Sequence, residues 1–176
     1  MYKLIAIDMD GTLLKEDKTI TTKTKEVLKV ASNLGVKIVL TSGRTIKDDD
    51  EILKIVLEEE KDVLDKITSQ IPKELFEEYN VIRSVEFMKK GCNKATGIEK
   101  LAQHLGISNE EIIAIGDASN DKEMIEYAGL GVAMGNAEDE IKMLANFITK
   151  SNEEDGVAYV INKFIINDVE KPLVCR

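Results

Sequence analysis

Short segments that are almost entirely apolar recur along this 176-residue chain and alternate with segments of helical periodicity. The clearest apolar segments are KLIAI (3–7), VKIVL (36–40), EIIAI (111–115) and LGVAM (130–134). Between the first two, residues 21–34 carry a helical apolar stripe that ends before Gly35. Strands that are apolar on both faces are typical of parallel sheets covered by helices on both sides. The pattern therefore predicts an α/β fold with a doubly wound parallel sheet.

The remaining elements follow from the same periodicities. Further strands are expected at 80–88 and 146–149, and helices at 94–105, 121–128, 137–144 and 156–166. Residues 47–88 break the alternation. In EILKIVLEEEKDVLDKI (51–67), four apolar residues recur near a 3.5-residue period, which predicts a long acidic amphipathic helix, and Pro72 is expected to begin a second, short helix.

Polar clusters follow three of the predicted strands. Asp8 and Asp10 follow the first strand, Ser42 and Gly43 the second, and Asp117 a later one. Ligands of doubly wound sheets bind beyond the carboxyl ends of the strands, so these clusters are expected at one edge of the sheet.

Taken alone, Asp8 and Asp10 are equally well explained as turn-forming residues before Gly11. Asp117 shifts the balance, because three carboxylates that converge on one crevice repel each other unless a cation lies among them. Oxygen-only ligation suits Mg²⁺. The sequence therefore predicts a magnesium site.

Lys94 is placed where a cation is unfavourable, at the start of a predicted helix. A solvated surface lysine is the ordinary explanation, but a lysine directed into an anion site accounts for the position better. Ser42 and Gly43 offer a hydroxyl and backbone N–H groups suited to phosphate. Asn120 is explained equally well as a helix N-cap or as a ligand contact, and the backbone N–H of Met9, between the two aspartates, is a further candidate for phosphate.

Composition narrows the function classes. The net charge of −9 argues against nucleic acid as a partner, since that binding needs a basic surface. Residues 47–79 hold 12 Asp/Glu and 5 Lys, a net of −7, which marks this stretch as a separate unit. No apolar run approaches the roughly 20 residues of a membrane span, and the N-terminus lacks the features of a secretory signal. With two cysteines in no metal-binding or redox spacing, we expect a cytoplasmic protein with reduced thiols.

Four motifs, taken in order, resemble the haloacid dehalogenase superfamily of phosphohydrolases, and within it the Cof-type phosphatases of sugar phosphates and cofactor phosphates. They are DMDGTLL (8–14), TSGR (41–44), a lone lysine at 94 that opens a helix, and GDASND (116–121). GVAMGNA (131–137) and SNEEDGVA (151–158) also resemble that branch. The resemblance covers residues 1–46 and roughly 85–166.

The resemblance implies a role for each matching residue. Asp8 would be the nucleophile that forms an aspartyl-phosphate, and Asp10 the general acid and then base. Mg²⁺ would be held by the Asp8 carboxylate, the Asp10 carbonyl and Asp117, with Asp121 supporting the metal site from behind. The phosphoryl oxygens would be held by Ser42, Gly43, Lys94 and Asn120.

The chain departs from the Cof-type pattern in its insert. Only 49 residues (45–93) separate Arg44 from Lys94, where the family carries a whole α/β cap domain. We expect a core domain of residues 1–46 and 89–176 and a truncated cap at 47–88. Three explanations stay open: a naturally short cap, coverage of the site by another subunit of a homo-oligomer, or a truncated descendant.

The expected function is a Mg²⁺-dependent phosphatase that acts on a small phosphorylated substrate. Two alternatives remain: a phosphomutase of the same superfamily, and a regulatory module that binds phosphate without turnover. The short cap argues against a mutase, which must retain its intermediate. The presence of Asp10 argues against a pure phosphoacceptor, which needs no acid/base group beside the nucleophile.

Overall fold

The computed structural model describes residues 1–41 and 93–167, together with the backbone of two short strands at 54–57 and 85–88. The strands are β1 (Leu4–Asp8), β2 (Lys37–Thr41), β3 (Lys54–Leu57), β4 (Val85–Met88), β5 (Ile112–Gly116), β6 (Leu130–Ala133) and β7 (Phe147–Ile148). The α-helices are α1 (Thr22–Asn33), α2 (Lys94–Leu105), α3 (Lys122–Tyr127), α4 (Asp139–Leu144) and α5 (Gly156–Ile161), and a π-helical turn, Asn162–Ile166, extends the last of them.

Five parallel strands form the main sheet in the order β2-β1-β5-β6-β7. Helices cover both faces of this sheet, and strands β1, β5 and β6 are buried at every residue. This arrangement confirms the predicted α/β class, since only strands covered on both sides need to be apolar at every position. The long aliphatic side chains of β1 and β5 form the centre of the core.

Helix α1 shows how local sequence sets the element boundaries. Thr21 caps its first turn by accepting a hydrogen bond from the backbone N–H of Thr24 at 3.1 Å. The chain leaves the helix through Gly35, whose φ of +88° is a backbone conformation that glycine adopts without strain. The predicted helix at 21–34 is thus confirmed to within one residue at each end.

Strand β2 differs from the expectation of a fully buried strand. It lies at an end of the main sheet, and Leu40 is 53% exposed in the described structure. An edge strand has one paired side and incomplete cover, so an apolar segment there does not become fully buried.

The predicted acidic helix over 51–67 is wrong at residues 54–57. These residues form β3, which pairs antiparallel with β4 in a separate two-stranded sheet. The segment KIVL contains two β-branched residues, and cross-strand pairing with VEFM at 85–88 outweighs the weak helical period of the surrounding apolar positions. The rest of 51–67 and the helix expected from Pro72 lie outside the described residues.

The chain divides into two compact units, one formed by residues 1–42 and 94–176 and the other by 43–93. The first contains the five-stranded sheet and the second the β3–β4 pair. None of the helices in the described part of the chain has the length and apolarity that crossing a membrane requires.

Candidate active site

The ends of two neighbouring strands bring the predicted acidic residues together. Strands β1 and β5 are paired in parallel, with Ile7 opposite Ile115. Asp8 is the last residue of β1, and Asp117 follows the last residue of β5 directly. The two aspartates therefore emerge side by side at the carboxyl edge of the sheet, as the sequence predicted.

A third aspartate completes a carboxylate cluster, which we define as Asp8, Asp117 and Asp121. One carboxylate oxygen from each lies within 4.8 Å of the other two. Asp121 is fully buried and Asp8 nearly so, whereas Asp117 is half-buried. Three acidic groups this close together and this far from water repel one another strongly, and a cation among them would relieve that repulsion.

Lys94 supplies one positive charge to the cluster. Its Nζ donates to Oδ1 of Asp8 and to Oδ1 of Asp121, at 2.5 Å each, and its side chain is only 9% exposed. Because Lys94 is the first residue of α2, its backbone is positioned at the helix start while its side chain reaches inward. The unfavourable placement of a cation at a helix N-terminus is offset by these two buried ion pairs.

The pKa values reflect this surplus of negative charge. Burial raises the pKa of Asp117 to about 6, and the charges of Asp121 and Asp8 add to that effect. Burial, and then the charge of Asp121, also raises the pKa of Asp8, although Lys94 acts in the opposite direction. Burial lowers the pKa of Lys94, but Asp121 and Asp8 outweigh it, so the net shift is upward and the lysine stays charged.

Asp121 has a larger part in this site than the sequence indicated. Its Oδ2 accepts hydrogen bonds from the backbone N–H groups of Asp117 at 3.0 Å and Ala118 at 3.1 Å, while Oδ1 accepts from Lys94. These contacts fix the turn that carries Asp117. Asp121 is also a direct member of the carboxylate cluster.

Thr12 is a site residue that the sequence analysis missed. It is buried, and its Oγ1 donates to Oδ1 of Asp117 at 2.7 Å. Beside it, Gly11 has a φ of +84°, and a Cβ there would overlap the Asp117 carboxylate. The only sequence signal was a hydroxyl residue next to this glycine, and its partner lies 105 residues further along the chain.

Asp10 lies close to this cluster in sequence, but its carboxylate has a different partner. Its Oδ1 accepts from Nζ of Lys18 at 2.9 Å, and its side chain is 39% exposed. The two aspartates, separated by one residue, therefore lie in different surroundings: the carboxylate of Asp8 is buried and that of Asp10 is exposed to solvent. The more exposed carboxylate is the one that can exchange protons with solvent and ligand.

The remaining predicted phosphate-binding groups are only partly described. Met9 is half-buried, and its backbone N–H is hydrogen-bonded to the Asp8 carboxylate. Asn120 lies half-buried in a 3₁₀ turn formed by Ser119–Asp121, ahead of α3. Ser42 and Gly43 lie outside the described residues.

The carboxylate cluster fits a hard divalent cation. It offers oxygen ligands only, which suits Mg²⁺ better than the softer metals that favour His or Cys. Lys94 neutralises one of three potential negative charges, so a divalent ion would balance the remainder.

Curated relatives match the chain over parts of different length. The Streptococcus pyogenes serotype M6 protein M6_Spy0533 is 40% identical over 121 residues, which are 66% of this chain and 45% of the relative. The 5-amino-6-(5-phospho-D-ribitylamino)uracil phosphatase YitU of Bacillus subtilis is 50% identical over 80 residues, 46% of this chain and 30% of YitU. The chain thus spans less than half the length of these two relatives.

A further relative matches almost end to end. The 5-amino-6-(5-phospho-D-ribitylamino)uracil phosphatase YcsE of Bacillus subtilis is 28% identical over 241 residues, with 93% of this chain and 96% of YcsE covered. That alignment is longer than the 176 residues of the chain, so YcsE contains internal sequence that this chain lacks.

The fold and the sequence pattern lead to one family. A haloacid dehalogenase-like hydrolase structure from Bacteroides thetaiotaomicron superposes with a TM-score of 0.78 at 24% identity, covering 92% of this chain and 99% of the other. The sequence pattern of the haloacid dehalogenase-like hydrolases matches residues 5–48 and 45–161, two segments that overlap at residues 45–48. The chain belongs to the haloacid dehalogenase-like hydrolases.

Proposed function

We propose that the protein is a Mg²⁺-dependent phosphatase that hydrolyses phosphate monoesters through an aspartyl-phosphate on Asp8. The observation that carries the proposal is the position of Asp8 at the end of β1, within the carboxylate cluster and in contact with Lys94. A carboxylate held there by a lysine and a divalent cation can approach an anionic phosphoryl group despite its own charge.

In the first step, an oxygen of Asp8 would attack phosphorus and the bond from phosphorus to the leaving oxygen would break. Asp10 would protonate that oxygen, so the product leaves as an alcohol. In the second step, water would attack the phosphorus of the aspartyl-phosphate, the bond from phosphorus to the Asp8 oxygen would break, and Asp10 would take up the proton that the water loses. Inorganic phosphate leaves and both aspartates return to their starting states.

The other residues would bind rather than react. Asp8, Asp117 and the Asp10 carbonyl would hold Mg²⁺, whose charge would offset that of the phosphoryl oxygens. Lys94, Asn120, Ser42 and the backbone N–H groups of Met9 and Gly43 would bind those oxygens. Asp121 would hold Lys94 and the turn that carries Asp117 in place.

We propose that the substrate is a small sugar phosphate or cofactor phosphate. We also propose that the protein acts in the cytoplasm. The named activity of YcsE, on a phosphorylated ribityl compound, supports this substrate class.

Two further proposals concern the insert. Residues 47–88 would form a truncated cap, and another subunit of a homo-oligomer would cover the open site. Light scattering coupled to size exclusion would detect the oligomer, and a monomer at all concentrations would contradict it.

The test of the proposed function is the release of p-nitrophenol from p-nitrophenyl phosphate with and without Mg²⁺. We expect turnover in the unmodified chain that Asp8→Asn abolishes and that a chelator abolishes reversibly. Asp17→Asn is the matched control, because Asp17 lies in the same segment but pairs only locally with Thr19 among its recorded hydrogen bonds. Turnover that survives Asp8→Asn, or that is absent from the unmodified chain, would refute the proposal. A panel of sugar phosphates and 5-amino-6-(5-phospho-D-ribitylamino)uracil would then define the substrate.

A further inference from the structure

Two asparagines that the proposed chemistry does not use hold the loop after the nucleophile. Asn136 lies in the GVAMGNA segment, and its Nδ2 donates to the carbonyl of Gly11 at 2.8 Å. Asn152 lies in the SNEEDGVA segment, and its Nδ2 donates to the carbonyl of Leu14 at 2.9 Å. The two are joined to each other, because the backbone N–H of Asn152 donates to Oδ1 of Asn136 at 3.0 Å.

The loop of residues 11–14 needs this support from outside. Its own hydrogen bonds run from the N–H groups of Leu13 and Leu14 back to the carbonyls of Asp8 and Met9, at 3.2 and 2.8 Å. Those bonds fix where the loop begins and ends. They leave the orientation of the peptide after Gly11 to other contacts, and glycine at a φ of +84° resists rotation less than any other residue.

The bond from Asn136 acts on the peptide that leads into Thr12. Because a peptide unit is planar, fixing the Gly11 carbonyl also fixes the N–H of Thr12 and limits the directions its side chain can take. The hydroxyl of Thr12 in turn donates to Oδ1 of Asp117. A continuous series of contacts therefore runs from Asn136 through Gly11 and Thr12 to the carboxylate cluster.

We propose that Asn136, braced by Asn152, is a positioning residue for this site: it orients the Gly11–Thr12 peptide so that Thr12 holds Asp117 in place for the metal ion. The kinetic consequence rests on the proposed function, whereas the consequence for metal binding does not. Asn136 is exposed, so its truncation removes a contact without opening a cavity in the core.

The test is a double-mutant cycle of Asn136→Ala and Thr12→Val, with Mg²⁺ affinity measured by calorimetry and kcat and KM measured on p-nitrophenyl phosphate. We expect Asn136→Ala to lower Mg²⁺ affinity and kcat by about fivefold, with KM changed less than about twofold. In the Thr12→Val background the same substitution should have almost no further effect, because the hydroxyl through which it acts is already gone.

Two further variants sharpen the cycle. Asn162→Ala is the matched control: its Nδ2 makes the same kind of bond, to the carbonyl of Ala158 at 2.9 Å, within the C-terminal helix. Asn136→Asp retains an acceptor for the N–H of Asn152 but cannot donate to Gly11. If the Gly11 contact is the effective one, Asn136→Asp should be as impaired as Asn136→Ala.

The outcomes separate this inference from the proposed function. Multiplicative losses in the double variant, or an Asn136→Ala variant that matches Asn162→Ala, would overturn the positioning role even if turnover is normal. A chain that binds Mg²⁺ and shows the coupled cycle, but releases no p-nitrophenol, would refute the phosphatase and leave the positioning role standing.

Discussion

Removing the Lys94 ammonium tests the electrostatics of the site most directly. Lys94→Met keeps much of the side-chain volume but leaves Asp8 and Asp121 without their shared partner. Breaking a buried ion pair by deleting one partner costs about 3–5 kcal/mol. We take the lower end, about 3 kcal/mol, because the remaining carboxylates can take up protons. For a chain of this size that corresponds to a fall of roughly 6–12 °C in Tm.

The cost should depend on pH with a defined sign. Burial and Asp121 already raise the pKa of Asp8, and the loss of Lys94 removes a contribution that lowers it. An acid whose folded-state pKa lies above its unfolded value of about 3.9 binds more protons when folded. Its ionisation therefore destabilises the fold as pH rises between those two values. The deficit of Lys94→Met relative to the unmodified chain should thus be larger at pH 7.5 than at pH 5.

The assay is thermal and urea unfolding of both chains without metal at the two pH values, repeated with Mg²⁺. Saturating Mg²⁺ should restore part of the loss, about 2.7 kcal/mol at a hundred times Kd, because only the folded chain presents the cluster. Lys100→Met, at an exposed position on the same helix, is the control and should change the free energy of unfolding by less than about 0.5 kcal/mol. Equal deficits at pH 5 and pH 7.5 would refute the electrostatic explanation.

Three further predictions concern Asp117. Thr12→Val removes the hydroxyl that donates to it, so Mg²⁺ affinity should fall about tenfold in calorimetry; unchanged affinity would contradict the contact. Since the pKa of Asp117 is about 6, a proton must leave before Mg²⁺ binds, and affinity should be about tenfold weaker at pH 5 than at pH 7. Calorimetry in buffers of different ionisation enthalpy would detect the released proton, and a pH-independent affinity would disprove the shift. Gly11→Ala should cost about 1–2 kcal/mol for its positive φ and also abolish Mg²⁺ binding, because the added Cβ overlaps the Asp117 carboxylate. Gly35→Ala, which has a similar φ but open space in the described structure, should show the cost in urea unfolding and leave metal binding intact; equal behaviour of the two would count against the overlap.

The elements that line the site could be predicted because their signals are local. Strands β1 and β5 are buried at every residue, and apart from Asp8 at the end of β1 they contain only apolar residues and glycine, which is the pattern of a parallel strand covered on both faces. Parallel pairing then places their carboxyl ends together, so Asp8 and Asp117 could be joined without knowing any distance. Lys94 could be identified because a cation at a helix start is unfavourable unless something else compensates.

Contacts between distant segments could not be predicted in this way. Thr12 could not be identified as a site residue, because its partner Asp117 lies far along the chain and many hydroxyls at turns bond only locally. The prediction of a helix at residues 54–57 was wrong for the same reason. Its apolar residues fit a helical period within the segment, and the antiparallel partner at 85–88 that makes it a strand is separated from it by the middle of the insert.

The charge balance of the site shows where such reasoning reaches its limit. The sequence predicts an excess of carboxylates, and the structure brings three of them together with one lysine. The contacts decide which carboxylates have a partner for their negative charge. Asp121 accepts from two backbone N–H groups and Lys94, and Asp8 shares that lysine. Burial, together with the charges of Asp121 and Asp8, raises the pKa of Asp117 to about 6, and no ion pair between Asp117 and Lys94 is found among the described residues. Its burial and the neighbouring carboxylates, rather than its place in a motif, make it a proton-linked ligand, and the pH dependence of metal binding should follow Asp117.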